Sequence, residues 1–117
     1  MRILTIAMTA ILGCAASTAA LAHAFLDHAE PRVGSTVPAA PREVVLSYTQ
    51  NLEPAFSSLE VSDANGARVD QGKPKFSGST MRVGVKPLPP GTYRVRWQVL
   101  SVDTHTTEGS FNFHVGH

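Results

Sequence analysis

The chain has 117 residues, of which 43% are hydrophobic, and a formal net charge of +1 at neutral pH. This near-neutral balance, without a dense basic run, argues against nucleic acid or an anionic membrane surface as the main partner. The length suits one small domain with a single core, and the only cysteine, Cys14, has no partner in the chain for a disulfide.

The first residues have the pattern of a secretory signal peptide. Arg2 precedes an apolar run from Ile3 to Leu12, and small residues then lead to Ala20-Leu21-Ala22, an A-x-A cleavage pattern. The apolar run is shorter than the roughly 20 residues that a membrane-spanning helix needs. We therefore expect residues 1–22 to be removed, which leaves one domain over residues 23–117.

A second cleavage site competes with this prediction. Ile11-Leu12-Gly13-Cys14 resembles a bacterial lipoprotein box, although the segment before Cys14 is short for a signal and Ala22 is the better-placed site. The choice matters chemically, because only cleavage after Ala22 gives His23 a free α-amine. No segment of the mature chain has the composition of a transmembrane helix, so direct membrane insertion is not expected.

The mature chain has frequent turn signals and no sustained helical period. Asn65-Gly66 is a strong hairpin signal between two of the predicted strands. Seven short strands with regular turns predict an all-β, antiparallel, immunoglobulin-like β-sandwich. The predicted strands cover Phe25–Glu30, Glu43–Thr49, Leu59–Ser62, Arg68–Asp70, Met81–Val85, residues 93–99 and residues 111–115.

Alternation within the strands predicts which side chains form the core. Trp97 is the largest of them and lies mid-strand, so we expect it at the centre of the core with a partner for its indole N–H. Met81, in a strand pattern, is also expected in the core. The other predicted core residues are Val44, Leu46, Tyr48, Tyr93, Val95, Val99, Phe111, Phe113 and Val115.

Two residues near the C-terminus, Asp103 and His105, carry candidate chemistry. In extended backbone their spacing of two sends both side chains to the same side. A carboxylate beside an imidazole can be an ion pair, an acid/base couple or two metal ligands, and by itself the pair is most simply a hydrogen-bonded loop pair. As the first residue of the mature chain, His23 would offer its α-amine and its Nδ1 to one metal ion. Three nitrogens and one oxygen favour Cu(II) in a tetragonal plane, while Zn(II) can use the same donors in a tetrahedron.

The chain resembles the CopC family of periplasmic copper-binding, copper-resistance proteins. The likeness rests on Ala29–Ser35, Leu46–Leu52 and, most specifically, Pro87–Val115, which contains Gly-Thr-Tyr, Trp, Ser-x-Asp-x-His and Gly-Ser-x-x-Phe in that order. The resemblance implies a Greek-key β-sandwich and one Cu(II) site per chain, with His23, Asp103 and His105 as its ligands. It also implies a periplasmic location and an inner-membrane copper transporter as partner.

The sequence departs from some members of that family at two places. Some relatives place a glutamate near copper where this chain has Gln50, a poor copper ligand. Others carry a methionine-rich loop that binds Cu(I) through soft thioethers. Here residues 51–63 contain no methionine, and Met81 is the only one in the mature chain, which predicts a protein that binds Cu(II) alone.

The predicted function is a Cu(II) carrier or buffer in copper homeostasis and resistance, and not an enzyme. One alternative is a copper-dependent oxidative enzyme that uses the histidine chelate at the N-terminus. Another is a metal-free immunoglobulin-like interaction module, in which the Asp103–His105 pair is only a loop hydrogen bond. Around the site, His28, Gln50, Asp27 and Glu108 are candidates for orienting a ligand, with exposed surface positions as the simpler interpretation. His114 and His117 are expected to be exposed.

Overall fold

The computed structural model describes residues 24–116, which form two four-stranded sheets packed face to face. The first sheet has the order β1-β3-β6-β5 and the second β2-β8-β7-β4. A short 3-10 turn over Pro54–Phe56 precedes β4. The strands are β1 (Leu26–Glu30), β2 (Thr36–Val37), β3 (Glu43–Tyr48), β4 (Ser58–Asp63), β5 (Asp70–Ser77), β6 (Thr80–Val85), β7 (Gly91–Leu100) and β8 (Thr106–Val115).

The chain crosses repeatedly between the two sheets. β3 pairs with β6 and β4 pairs with β7, both antiparallel, although neither pair is consecutive in the sequence. β2 is the exception to antiparallel pairing, because its two residues run parallel to the end of β8. This architecture confirms the predicted all-β sandwich of Greek-key type. Within residues 24–116, no helix has the length and apolar character to span a membrane.

The core lies between the sheets and contains most of the predicted residues. Met81 and Phe113 are fully buried, as are the inward-facing residues of β3 and most of those of β7. Trp97 is different: it is half-buried, packs against the edge of the core and meets Tyr48 edge-to-face at a centroid distance of 5.2 Å. The prediction of a central Trp97 is therefore wrong. The Trp97 ring lies over Gly109, the residue paired with Trp97 on β8, because a glycine leaves room for the ring there.

A hairpin forms at Asn65-Gly66, as predicted, but it is short and irregular. A turn does form there, with the Asp63 carboxylate accepting the amides of Asn65 and Ala67 at 2.9 Å and Gly66 at a φ of +86°. The strands beside the turn pair only briefly: Ser62 forms an isolated antiparallel bridge with Arg68, and the Val69 N–H donates to the Val61 carbonyl at 2.8 Å. The chain then crosses to the first sheet, where its strand begins at Asp70, two residues later than predicted.

Asp70 explains why a regular hairpin does not form. Its Oδ1 accepts the backbone amide of Val61 at 2.9 Å, so a side chain occupies a donor that a hairpin partner strand would use. The same carboxylate receives two hydrogen bonds from Arg68, at 2.7 and 2.8 Å. The Asp70 side chain thus satisfies the Val61 amide at the point where the chain leaves β4.

Candidate metal centre

The predicted ligands Asp103 and His105 lie in the loop that connects β7 to β8. The loop is a tight turn: Thr104 N–H donates to the Ser101 carbonyl at 2.8 Å, and Ser101 N–H donates to the His105 carbonyl at 3.0 Å. Thr104 itself has a φ of 73°, in the left-handed region that non-glycine residues seldom occupy. The expectation of extended backbone here is therefore wrong, although the turn still brings the two side chains together.

The carboxylate of Asp103 is held in place through its Oδ1 atom. That atom accepts the Ser101 hydroxyl and the His105 backbone amide, the latter at 3.3 Å, and it lies 3.4 Å from His105 Nδ1. The hydrogen bond from Ser101, with smaller contributions from His105, lowers the pKa of Asp103 below its ordinary value. The carboxyl is therefore ionised at neutral pH, as a metal ligand must be.

The second carboxylate oxygen is what makes this pair suitable for a cation. Asp103 Oδ2 is shielded from solvent and has no hydrogen-bond partner among residues 24–116. An ionised carboxylate is purely an acceptor, so a shielded oxygen without a donor is costly unless a positive ligand satisfies it. The imidazole of His105, whose side chain is 46% exposed, contacts the other oxygen of the same carboxylate, Oδ1.

The described chain supplies two of the three predicted ligands. No group of three or more His, Cys, Asp or Glu side chains suited to a metal occurs within residues 24–116. The third predicted ligand, His23, lies outside the described residues. Its neighbour Ala24 is fully buried, and the Ala24 carbonyl accepts a hydrogen bond from Thr107 Oγ1 at 2.8 Å. Thr107 is only two residues beyond His105, so the described chain begins beside the Asp103–His105 loop.

The other candidate residues lie elsewhere. His28 is exposed on β1, with its Nε2 3.4 Å from a Glu30 carboxylate oxygen. Glu108 is exposed on the outer face of β8, opposite Gln98. Among the described contacts none joins Asp27, Gln50 or these two residues to Asp103 or His105. The prediction that His114 is exposed is wrong, because it is half-buried and its Nδ1 lies 2.9 Å from the Thr92 hydroxyl.

Two residues of the site were not predicted from the sequence. Ser101 is completely buried, and its hydroxyl donates a hydrogen bond to the Asp103 carboxylate. The Thr107 hydroxyl donates to the Ala24 carbonyl. Ser101 lies two residues before Asp103, as His105 lies two residues after it. The same spacing could therefore have predicted that Ser101 contacts Asp103. The contact of Thr107 spans 83 residues of sequence, and no local pattern indicates it.

The fold and the site together define a class: a small β-sandwich with a loop between its last two strands that carries a carboxylate and an imidazole side by side. Comparison with known protein families is more specific. The family model described as CopC domain matches residues 26–116, almost all of the described chain. The protein belongs to the CopC family, as the sequence resemblance predicted.

Individual relatives and solved structures agree with this assignment. The chain is similar to copper resistance protein C of Xanthomonas campestris pv. juglandis, with 34% identity over 95% of each chain, and to protein YobA of Escherichia coli K12, with 33% identity over 80% of this chain and 79% of that one. It is 29% identical to copper transport protein CutJ of Bacillus subtilis, covering 81% of this chain but only 18% of CutJ.

Two crystal structures share the fold. CopC from Methylosinus trichosporium OB3b has a TM-score of 0.74 at 33% identity, over 80% of this chain and 93% of that one. PcoC of Escherichia coli, described as a methionine-rich copper resistance protein, has a TM-score of 0.71 at 33% identity, over 80% and 99%.

Proposed function

We propose that this protein is a periplasmic carrier or buffer of copper with a single Cu(II) site, whose ligands are His23, Asp103 and His105. The coarser part of this statement follows from family membership: CopC proteins are copper-binding, copper-resistance proteins and not enzymes. Neither alternative from the sequence, an oxidative enzyme or a metal-free interaction module, agrees with that membership. The oxidation state, the stoichiometry and the ligand set are our proposal.

The proposal rests mainly on the Asp103 carboxylate: within residues 24–116 its shielded Oδ2 has no hydrogen-bond partner, and its Oδ1 lies 3.4 Å from His105 Nδ1. Both residues belong to the β7–β8 loop of the second sheet, whereas residue 23 precedes Ala24, which leads into β1 of the first sheet. Because Thr107 binds the Ala24 carbonyl, the start of the described chain is within reach of that loop. A bound cation would then connect the two sheets in a mature domain that has no disulfide.

The donor atoms decide between metals and oxidation states. After cleavage, an α-amine, two imidazoles and a carboxylate form a nitrogen-rich set of the kind that Cu(II) prefers. A Cu(I) site of thioethers requires several methionines, and Met81, the only one in the mature chain, is fully buried between the sheets. The absence of other methionines supports a single site for Cu(II), in contrast to relatives that are rich in methionine.

Similarity to a transport protein supports the proposed route of the copper ion. CutJ, a copper transport protein, is several times longer than the segment that matches this chain. The similarity of this domain to part of a transport protein supports a membrane copper transporter as the partner that receives or delivers copper. The leader-like first 22 residues, which are not described structurally, support export to the periplasm.

A Cu(II) titration of variants tests the ligand set. The chain beginning at His23, its His105→Ala and Asp103→Asn variants, and a His28→Ala control would compete for Cu(II) with a chelator of known affinity. We expect one Cu(II) per chain in the parent, with losses in both ligand variants. The loss should be at least about tenfold, because removing even a supporting contact of a ligand costs that much. The His28→Ala control removes an exposed histidine that pairs with Glu30, and it should bind like the parent.

The electron paramagnetic resonance spectrum of the saturated parent gives a second measure of the same site. A single tetragonal Cu(II) signal with nitrogen couplings is expected, and loss of one nitrogen coupling should accompany His105→Ala. Unchanged affinity in both ligand variants, or a loss as large in His28→Ala, would refute this assignment.

A further inference from the structure

One peptide group near the start of the described chain is held at both of its polar atoms by threonine hydroxyls. The peptide between Ala24 and Phe25 presents its carbonyl to Thr107 Oγ1 at 2.8 Å and its N–H to Thr49 Oγ1 at 2.9 Å. The Thr49 backbone N–H in turn donates to the Phe25 carbonyl at 3.0 Å. A single peptide plane is thus fixed from two sides.

The two threonines come from different sheets. Thr49 directly follows β3 in the first sheet, and Thr107 lies in β8 of the second. Because a peptide group is planar, fixing its carbonyl and its N–H also fixes the direction of the Cα atom of Ala24. The Ala24 side chain is fully buried in the core, which restricts that residue further.

We propose that Thr49 and Thr107 are positioning residues. By holding the Ala24–Phe25 peptide, they preorganise the amino-terminal copper ligand in the metal-free protein. This inference rests on the proposed function, because it takes His23 as that ligand. Consecutive Cα atoms are about 3.8 Å apart across a trans peptide, so holding Ala24 limits the region that the preceding residue can reach. If this terminal arm, His23 to Phe25, is ordered in the metal-free protein, copper binding does not have to supply the conformational entropy of ordering it. The Cu(II) affinity is then higher.

The test removes one hydroxyl with little change of shape. Thr107→Val keeps the branched side chain and loses the donor to Ala24, Thr107→Ser keeps the donor, and Thr106→Val alters the exposed neighbouring residue as a control. We expect Thr107→Val to bind Cu(II) about 3- to 10-fold more weakly, the loss that corresponds to one net hydrogen bond. Thr107→Ser and Thr106→Val should bind as tightly as the parent.

A thermodynamic cycle separates positioning from general stabilisation of the fold. The same variants would be made in a chain that carries one extra residue before His23, in which the α-amine is converted into an amide. If Thr107 acts by holding the terminal arm, Thr107→Val should not weaken the residual Cu(II) affinity of the extended chain. An equal loss in the mature and extended chains would mean that the hydroxyl only stabilises the sandwich, and it would overturn the inference.

Hydrogen exchange tests the same arm without any copper. In the metal-free protein the Phe25 amide should be protected, and Thr49→Val should remove most of that protection. An unprotected Phe25 amide, or parent-like Cu(II) affinity in Thr107→Val, would overturn positioning while leaving the ligand assignment intact. If instead the parent binds Cu(II) no better than the extended chain, the ligand assignment itself fails, and this inference fails with it.

Discussion

Replacing Gly109 by alanine tests how Trp97 is packed. A Cβ at Gly109 would lie 2.7 Å from Trp97 Cζ2 and 3.0 Å from Cε2, closer than side chains normally approach. The ring has limited room to retreat, because Tyr48 contacts it edge-to-face from the other sheet. Overpacking of this kind costs about 1–3 kcal/mol, so we expect Gly109→Ala to lower the free energy of unfolding by that amount. The melting temperature should fall by roughly 4–8 °C for each kcal/mol.

Urea unfolding of the metal-free protein is the appropriate assay, followed by circular dichroism and by the fluorescence of Trp97, the only tryptophan. With a slope of about 1–3 kcal/mol per M, the midpoint should fall by roughly 1 M. Gly84→Ala is the matched control, because a Cβ there would meet only backbone oxygens at 3.9 and 4.0 Å. It should be neutral or slightly stabilising, since alanine restricts the unfolded chain. If Gly109→Ala unfolds at the parent's midpoint with an unchanged emission spectrum, the packing argument is wrong.

Three further predictions follow from separate features. The hydrogen bond from Arg68 lowers the pKa of Asp70. The ionised Asp70 therefore stabilises the fold above the ordinary carboxyl pKa, and this stabilisation is lost as pH falls through the lowered native pKa. Asp70→Asn should reduce stability at pH 7 and narrow the difference in urea midpoint between pH 7 and pH 3, and a difference as large as the parent's would contradict this. Met81→Leu should lower the free energy of unfolding by less than about 1.5 kcal/mol, and Met81→Ala by about 2–5 kcal/mol, because Met81 is fully buried. The leucine variant should still bind Cu(II), whereas loss of copper binding in it would assign a ligand role to the thioether. Cu(II) affinity, measured by competition, should fall from pH 8 to pH 5 because protons compete for the nitrogen donors, and a flat profile would exclude amine and imidazole ligation.

The fold could be predicted from the sequence wherever alternation decides which face is buried. Val44, Leu46 and Tyr48 show this, since a period of two has only one core-facing register. The extent of the hairpin could not be predicted, because the Asp70 side chain takes the Val61 amide and the chain crosses to the other sheet after Val69. The two-residue β2 was also missed, because a pair of residues carries no periodicity.

The site divides in the same way. The spacing of Asp103 and His105 predicted that their side chains lie close together. The assumed extended backbone was wrong, because a turn with Thr104 at positive φ brings them together. Ser101 shares that short spacing and could have been found with them. The contact between Thr107 and Ala24 joins two sheets across most of the chain, and such contacts depend on the tertiary fold and not on local sequence.

If copper binds to a terminus that proteolysis creates, a comparison of two Cu(II) affinities should show it. The chain beginning at His23, with its N-terminus verified by mass spectrometry, would be titrated with Cu(II) beside the same chain preceded by a single alanine. We expect the extra residue to abolish most of the affinity, because it removes the α-amine of His23 as a donor while leaving Asp103 and His105 unchanged. Equal affinities for the two chains would contradict it.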